Sequence, residues 1–186
     1  MRQSILILLL FLFCANAFCQ PKIPVIKNGQ DDNRVPYIRL TQSIINNSEV
    51  VIIYRGFSFF SQHSPLHIIN YGVDKKWHYH EIATTANDSA LRTINLPQDS
   101  IIKIWHAFVD NDLFIIKDEK ELNESCPTHV NDGAWIDINI IAKTAAKGLH
   151  YYAAAVIEED CPGSKERQSI IKCLDVIFSF DYEKYK

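Results

Sequence analysis

Residues 50–60, Val-Val-Ile-Ile-Tyr-Arg-Gly-Phe-Ser-Phe-Phe, are the stretch of sequence on which the fold depends. They are rich in β-branched and aromatic side chains, which favour strands over helices. Apolar residues occupy successive positions as well as alternate ones, and this pattern is typical of a strand that is apolar on both faces. We therefore expect a β-sheet that contains this strand.

A β-hairpin is predicted directly after it. Residues 66–71 and 76–83 have the composition of strands, and Gly72-Val73-Asp74-Lys75 between them has that of a turn. Side chains alternate between the two faces of a strand. Alternation predicts one core-facing side, formed by Leu66, Ile68, Trp77 and Tyr79.

Two helices are predicted further along the chain. The first follows Asn95, which can act as its N-cap while Gln98 closes a capping box. The second has about 15 residues, with Ser164 as its N-cap. Helical spacing predicts one buried stripe on each, formed by Ile101, Trp105, Phe108 and Val109 in the first and by Ile170, Cys173, Leu174 and Ile177 in the second.

A strand pair is predicted between the helices. Residues 134–142 alternate so that Ile136, Ile138 and Ile140 face the core, and residues 149–157 return after a turn at 143–148. The order of elements predicts an α+β fold, in which one antiparallel sheet of about five strands carries two helices packed on one face.

The N-terminus has the pattern of a secretory signal peptide. A positive start at Arg2 precedes an apolar run over 4–13 and then small residues. Cleavage after Cys19 would leave residues 20–47 as an extended N-terminal segment and 48–186 as a single domain. Within that segment, residues 37–47 fit either a short helix or an edge strand. Lipoprotein processing at Cys19 is the alternative to simple cleavage.

Composition excludes several classes of protein. The 186 residues are 47% hydrophobic and carry a net charge of −3, which becomes −4 when Arg2 leaves with the signal peptide. A weakly acidic chain without a basic stripe gives no support for nucleic-acid binding. Beyond the signal there is no second apolar run of about 18 residues, so no stable membrane insertion is expected. We expect a periplasmic or secreted protein without a cofactor.

Three cysteines follow the signal peptide, and two of them are predicted to pair. Exported proteins can keep disulfides. The segment before strand 134–142 and the segment after strand 149–157 emerge at the same end of that hairpin, which brings Cys126 close to Cys161. Cys173 lies in a helix stripe and is predicted to be a buried free thiol. A metal or redox site formed by Cys126 and His129 is the alternative.

A histidine cluster is predicted if the turn of the first hairpin has Val73 and Asp74 as its two central residues. His67 then lies opposite His80 on the solvent side of the sheet, and His78 lies beside them. Three imidazoles at such spacing can bind Zn²⁺ with one open position. A one-residue change of register would separate them. An exposed polar sheet surface is the alternative.

Aromatic residues exceed what one side of the sheet needs. Phe57, Phe59 and Phe60 lie at the end of the first predicted strand, and Trp135 points away from the isoleucine face of its own strand. They are either covered by residues 20–47 or form a patch for a partner. The predicted partner-binding set is formed by Arg55, Phe57, Phe59 and Trp135.

Two short segments carry a resemblance to a known family. Arg55-Gly56-Phe57 ends the first strand and Leu113-Phe114 closes the first helix. In these positions and in the order of its strands and helices, residues 50–180 resemble emfourin-type metalloprotease inhibitors, and the layout is similar to small secreted bacterial domains of unknown function. The chain differs in lacking a double glycine at Gly56 and in its long loop over 117–133. The resemblance implies a binding protein.

No catalytic motif is recognisable in the sequence. There is no Gly-x-Ser-x-Gly elbow and no phosphate-binding glycine loop, although an unrecognised enzymatic site stays open. We therefore expect an exported non-catalytic protein that binds an unknown protein partner, with a protease-inhibitor module as one form. The alternative function is surface metal binding by His67, His78 and His80.

Overall fold

The computed structural model describes residues 21–27, 38–57, 64–84, 89–123, 126, 130, 131 and 133–179. These ranges contain four helices, six strands and one 3-10 turn at Glu119–Glu121. They are α1 (Ile38–Asn46), β1 (Ser48–Phe57), β2 (Leu66–Gly72), β3 (Trp77–Thr84), β4 (Ser89–Ile94), α2 (Gln98–Asp110), β5 (Trp135–Ala142), β6 (Ala145–Tyr152), α3 (Ala154–Asp160) and α4 (Lys165–Phe178).

The sheet is antiparallel throughout and has the strand order β4-β3-β2-β1-β5-β6. This confirms the predicted α+β class with a single antiparallel sheet. Six strands form it where about five were expected, because Ser89–Ile94 adds an edge strand that was not predicted. Strand β1 lies inside the sheet, between β2 and β5.

One face of the sheet, here called the core face, packs against α2 and α4 as predicted. Residues Val50, Ile52 and Tyr54 of β1 contribute to this core. The predicted helix stripes are buried in it, through Ile101, Trp105 and Phe108 of α2 and Ile170, Cys173 and Ile177 of α4. Val109 and Leu174 are half-buried at its margin.

The opposite face, here called the α1 face, is partly covered by the N-terminal helix. Ile44 of α1 packs against Val51 and Ile53 of β1 and against Leu66, Ile68 and Ile82. Residues 38–46 were expected to belong to an extended segment, but they are helical. Of the two alternatives for this stretch, a short helix or an edge strand, the structure shows the helix. Residues 21–27 have no regular structure, and Ile23 and Ile26 pack at the margin of the core.

The register of the first hairpin differs from the prediction by one residue. Tyr71 pairs with Trp77, and His67 pairs with Glu81. The turn has three residues, because the Lys75 amide donates to the Gly72 carbonyl at 3.0 Å and Lys75 itself is left-handed, with φ of 63°. Such a turn adds one residue compared with a two-residue turn. Leu66 and Ile68 therefore face α1, and Trp77 and Tyr79 face the core.

Two further local predictions were wrong. Gln98 does not close a capping box. Its side-chain amide instead accepts from the Trp77 amide at 3.1 Å and donates to the Trp77 carbonyl at 2.7 Å, which ties the start of α2 to β3. The last strand spans Ala145–Tyr152, and residues 154–160 form a helix. The turn is therefore shorter than the predicted 143–148, because residues 145–148 belong to the strand.

The predicted disulfide between Cys126 and Cys161 is present, with the Cα atoms 6.0 Å apart. Cys173 is a buried free cysteine, and its thiol contacts the Ala107 carbonyl oxygen at 3.4 Å. Burial raises the pKa of the Cys173 thiol to about 12. None of the helices in the described part of the chain combines the length and apolar composition needed to span a membrane.

Substitutions at Lys75 test whether its backbone is left-handed, because glycine tolerates this conformation better than alanine does. A side chain with a Cβ is strained there and glycine is not, so Lys75→Gly should be more stable than Lys75→Ala by about 0.5–1 kcal/mol in urea unfolding. Both variants lose the ammonium that contacts Glu49 at 3.3 Å. Lys76, whose φ is negative, is the matched control and should prefer alanine. Equal stability of the two Lys75 variants would contradict the turn.

Removing the disulfide should destabilise the domain by an amount set by the 35-residue separation of its cysteines. The chain-entropy model gives about 3–4 kcal/mol for a loop of this length. We expect the double variant Cys126→Ser, Cys161→Ser to unfold at lower urea concentration, as the reduced wild type should. A Cys173→Ala variant is the control and must keep its sensitivity to reductant. Stability that is unaffected by reductant would count against the bond.

Candidate partner-binding face

Five side chains with binding chemistry come together on the α1 face, next to the area that α1 covers. They form what is here called the Trp135 patch, and strand register places them. Arg55 lies opposite Asp137, which lies opposite His150, and Trp135 lies opposite Tyr152. The patch therefore spans three neighbouring strands, β1, β5 and β6.

A charged row crosses the patch. Asp137 accepts from Arg55 Nη2 at 3.0 Å through one carboxylate oxygen and contacts His150 Nδ1 at 2.7 Å through the other. Burial raises the pKa of Asp137, but the hydrogen bonds from His150 and Arg55 outweigh it and hold the pKa below its ordinary value. The carboxylate is thus charged at neutral pH and fixes the orientation of both neighbours.

An aromatic pair lies beside this row. The rings of Trp135 and Tyr152 have centroids 4.6 Å apart, and Trp135 is 42% exposed, which is high for an indole. The Tyr152 hydroxyl accepts from the Gly133 amide at 2.8 Å and donates to the Val130 carbonyl at 2.9 Å. The exposed indole therefore rests on a tyrosine that is held at both its ring and its hydroxyl.

Two local features keep Tyr152 in place. A Cβ at Gly133 would lie 2.7 Å from Tyr152 Cζ, so only glycine lets the chain pass this close to the ring. Glu119 accepts from the Tyr152 amide at 3.0 Å, and Asp118 accepts from the His150 amide at 2.6 Å. These carboxylates bond with outward-facing amides of edge strand β6, so the patch is built on a rigid edge.

The composition of the patch suits recognition of a protein. Tryptophan, tyrosine and arginine are the residues enriched at the energetic centres of protein interfaces, where a rigid aromatic group is surrounded by oriented polar groups. Arg55 and Asp137 keep 28% and 17% of their side-chain surface exposed. Their charges are therefore still accessible to a partner at the rim of the indole.

The predicted partner-binding residues fall into three groups. Arg55 and Trp135 are both in the patch, on the same face of the sheet. Phe57 pairs with Trp135 in the ladder between β1 and β5. Phe59 lies outside the described residues. The sequence does not reveal that Asp137, His150 and Tyr152 join this set, because the register between β5 and β6 is needed to bring them beside Arg55.

The three histidines of the predicted metal cluster do not come together. His78 and His80 lie on the α1 face, whereas the one-residue change of register puts His67 on the core face. There His67 Nδ1 contacts the Tyr79 hydroxyl at 2.5 Å and its ring stacks on Tyr54. Within the described ranges, no group of three histidine, cysteine or acidic side chains is arranged to hold a metal ion.

His78 and His80 each have a protein partner. His78 Nε2 contacts the Asp74 carboxylate at 3.0 Å, and His80 Nδ1 contacts the Thr93 hydroxyl at 2.9 Å. Burial, with a smaller contribution from the neighbouring His78, lowers the pKa of His80 to about 4. His80 is therefore neutral in the folded protein at neutral pH.

Several charged residues are buried, Lys147 and Glu81 among them, and the sequence did not predict this. Lys147 is 2% exposed, and its ammonium donates to the carbonyls of Lys27 and Ile116, both at 2.6 Å. It shares the core face with Leu149 and Tyr151, an alternation that the sequence does contain. Glu81 is also 2% exposed, and strand register places it between His67 and Arg92. Lys147 thus joins the N-terminal segment to the sheet.

Acid should destabilise the fold through His80. The unfolded side chain titrates near its ordinary pKa of 6.5 and the folded one near 4, so the unfolded state binds more protons between these values. Stability should therefore fall as the pH falls through this window. His80→Gln should lose less thermal stability between about pH 7 and about pH 5 than the wild type does. His106→Gln, at an exposed helix position, is the control and should match wild type. Equal losses in all three proteins would refute a neutral His80.

Comparison with known proteins assigns no family. No protein-family model matches the chain, and a search of curated proteins finds no significant match. The chemistry of the Trp135 patch is thus the main guide to function.

Proposed function

We propose that this chain is an exported, non-catalytic domain that binds a protein partner through the Trp135 patch. The observation that carries the proposal is the 42% exposed indole of Trp135, which packs at a tilt against Tyr152 beside the Arg55–Asp137 ion pair. A large exposed aromatic on a rigid sheet is costly in water, and a partner that covers it recovers the burial energy.

Export is supported by two features. The first 19 residues have a signal-peptide pattern, and the Cys126–Cys161 disulfide is of the kind that persists in oxidising compartments. The partner is thus expected among proteins of the periplasm or the medium. Its complementary surface should offer an apolar pocket for the indole and a hydrogen-bond acceptor within reach of Arg55.

Truncating Trp135 should abolish most of the binding. Loss of a central tryptophan at an interface costs about 2 kcal/mol or more, which is about 30-fold in affinity. Wild type, Trp135→Ala and Val73→Ala are used as baits on exported proteins, and any captured protein is then titrated in purified form by calorimetry. Val73, which is 55% exposed at the distant hairpin turn, is the matched control. A partner bound equally by Trp135→Ala would overturn the proposal.

The inhibitor form of the proposal has a separate test. The purified protein is assayed against a panel of secreted metalloproteases, with Trp135→Ala alongside. Inhibition that is weakened by this substitution supports an inhibitor acting through the patch. Full activity of every protease would remove the inhibitor form while leaving the calorimetric test of binding unaffected.

A further inference from the structure

The two edge strands of the sheet, β4 and β6, differ in what contacts their outer sides. At β6, the side chains of Asp118 and Glu119 accept from the outward-facing amides of His150 and Tyr152, at 2.6 and 3.0 Å. At the opposite edge, β4 pairs with β3 alone among the described strands. Side chains of β4 are exposed on both faces, through Ala90 and Arg92 on one and Thr93 on the other. Strand β4 is thus accessible as an edge.

Strand β4 also lacks the features that discourage pairing at an edge. Its sequence, Ser-Ala-Leu-Arg-Thr-Ile, contains no proline or glycine. Its ladder with β3 runs without a bulge from Ser89 to Ile94. Natural edges are usually protected by proline, bulges or several charges, whereas Arg92 is the only charged residue in the strand.

We infer that β4 pairs antiparallel with β4 of a second copy of this chain, around a two-fold axis at Leu91. The choice of axis follows from side-chain parity. In a continuous sheet, residues that lie opposite each other point to the same face, and side chains alternate between faces along a strand. Two copies related by a two-fold axis therefore pair so that one residue lies directly opposite its own copy. Near the middle of the strand, only Leu91 and Arg92 are available as that residue.

The two possible axes differ in charge. An axis at Arg92 would place the two guanidinium groups directly opposite each other, which is destabilising. An axis at Leu91 places Leu91 against its own copy, Arg92 against the small side chain of Ala90, and Ser89 against Thr93. Leu91 is half-buried and already packs against the apolar cluster under α1. Pairing at Leu91 therefore extends this apolar cluster across the axis and avoids repulsion, which is why a second copy fits this edge.

The dimer should be reversible. Around this axis five residues of β4, 89–93, pair on each side. They make an interface below the usual size of permanent ones, so monomer and dimer coexist. Strand β4 is at the opposite edge from β6, three strands away from β1, so the Trp135 patches stay exposed in the dimer. Two patches on one particle would strengthen binding to a partner that has repeated sites.

Sedimentation of charge variants at Ala90 tests the inferred axis. In this register residue 90 lies opposite Arg92 of the other copy, and the contact occurs twice. Ala90→Glu should tighten the dimer by about 2- to 30-fold, and Ala90→Lys should weaken it by a similar factor. Ala155→Glu and Ala155→Lys, at an exposed position on α3, are the matched controls and should change nothing.

Cysteine cross-linking gives a second readout. Leu91→Cys should form a disulfide-linked dimer under mild oxidation, and Arg92→Cys should not, because only residue 91 lies opposite its own copy. The wild type should show concentration-dependent dimerisation between about 1 μM and about 1 mM. A wild type that stays monomeric over this range, or a dimer indifferent to both Ala90 substitutions, would overturn the inference.

Discussion

Strand β1 is buried on both faces, and the rest of the structure depends on this constraint. Val50, Ile52 and Tyr54 pack against α2 and α4, while Val51 and Ile53 pack against α1. A strand of this kind needs a neighbour at each edge and a layer of helix on each face, since an exposed apolar face costs about 25 cal/mol per Å². The sheet therefore extends in both directions from β1, and the N-terminal helix is part of the fold.

Much of this fold could be predicted from the residues alone. The apolar run of β1, the alternation of Ile136, Ile138 and Ile140, and the stripes of α2 and α4 are local patterns, and burial enforces each of them. The disulfide was predictable because hairpin topology brings the flanking segments together. What these features share is that none of them requires an exact register.

Register is what local patterns could not supply. The backbone of Lys75 is left-handed, a conformation that few residues other than glycine and asparagine adopt. It makes the turn three residues long where two were expected, and His67 therefore lies on the opposite face of the sheet. Strand β4 was missed because an exposed edge strand has little apolar alternation. Arg55 and Trp135 are predicted together from the sequence as partner-binding residues, but their grouping with His150 and Tyr152 depends on two ladders that only the structure defines.

Several titratable groups in the described part of the chain have perturbed pKa values that their surroundings in the fold explain. Unusual pKa values often mark active sites, but structural networks also produce them. Burial lowers the pKa of Lys147 to about 8, yet its ammonium is held by backbone carbonyls and ties the N-terminal segment to the sheet. Burial also raises the pKa of Tyr151, whose hydroxyl donates to the Lys117 carbonyl.

The same holds at the patch itself, where Asp137 is engaged on both oxygens by Arg55 and His150. Burial accounts for the pKa shifts of Lys147 and Tyr151, and the hydrogen bonds from Arg55 and His150 account for that of Asp137. Beside this hydrogen-bonded row, the indole of Trp135 stays exposed to solvent. Polar neighbours hold this apolar ring in a fixed orientation, so a partner can bury its surface. This exposed ring is the basis on which we propose that the surface recognises a protein partner.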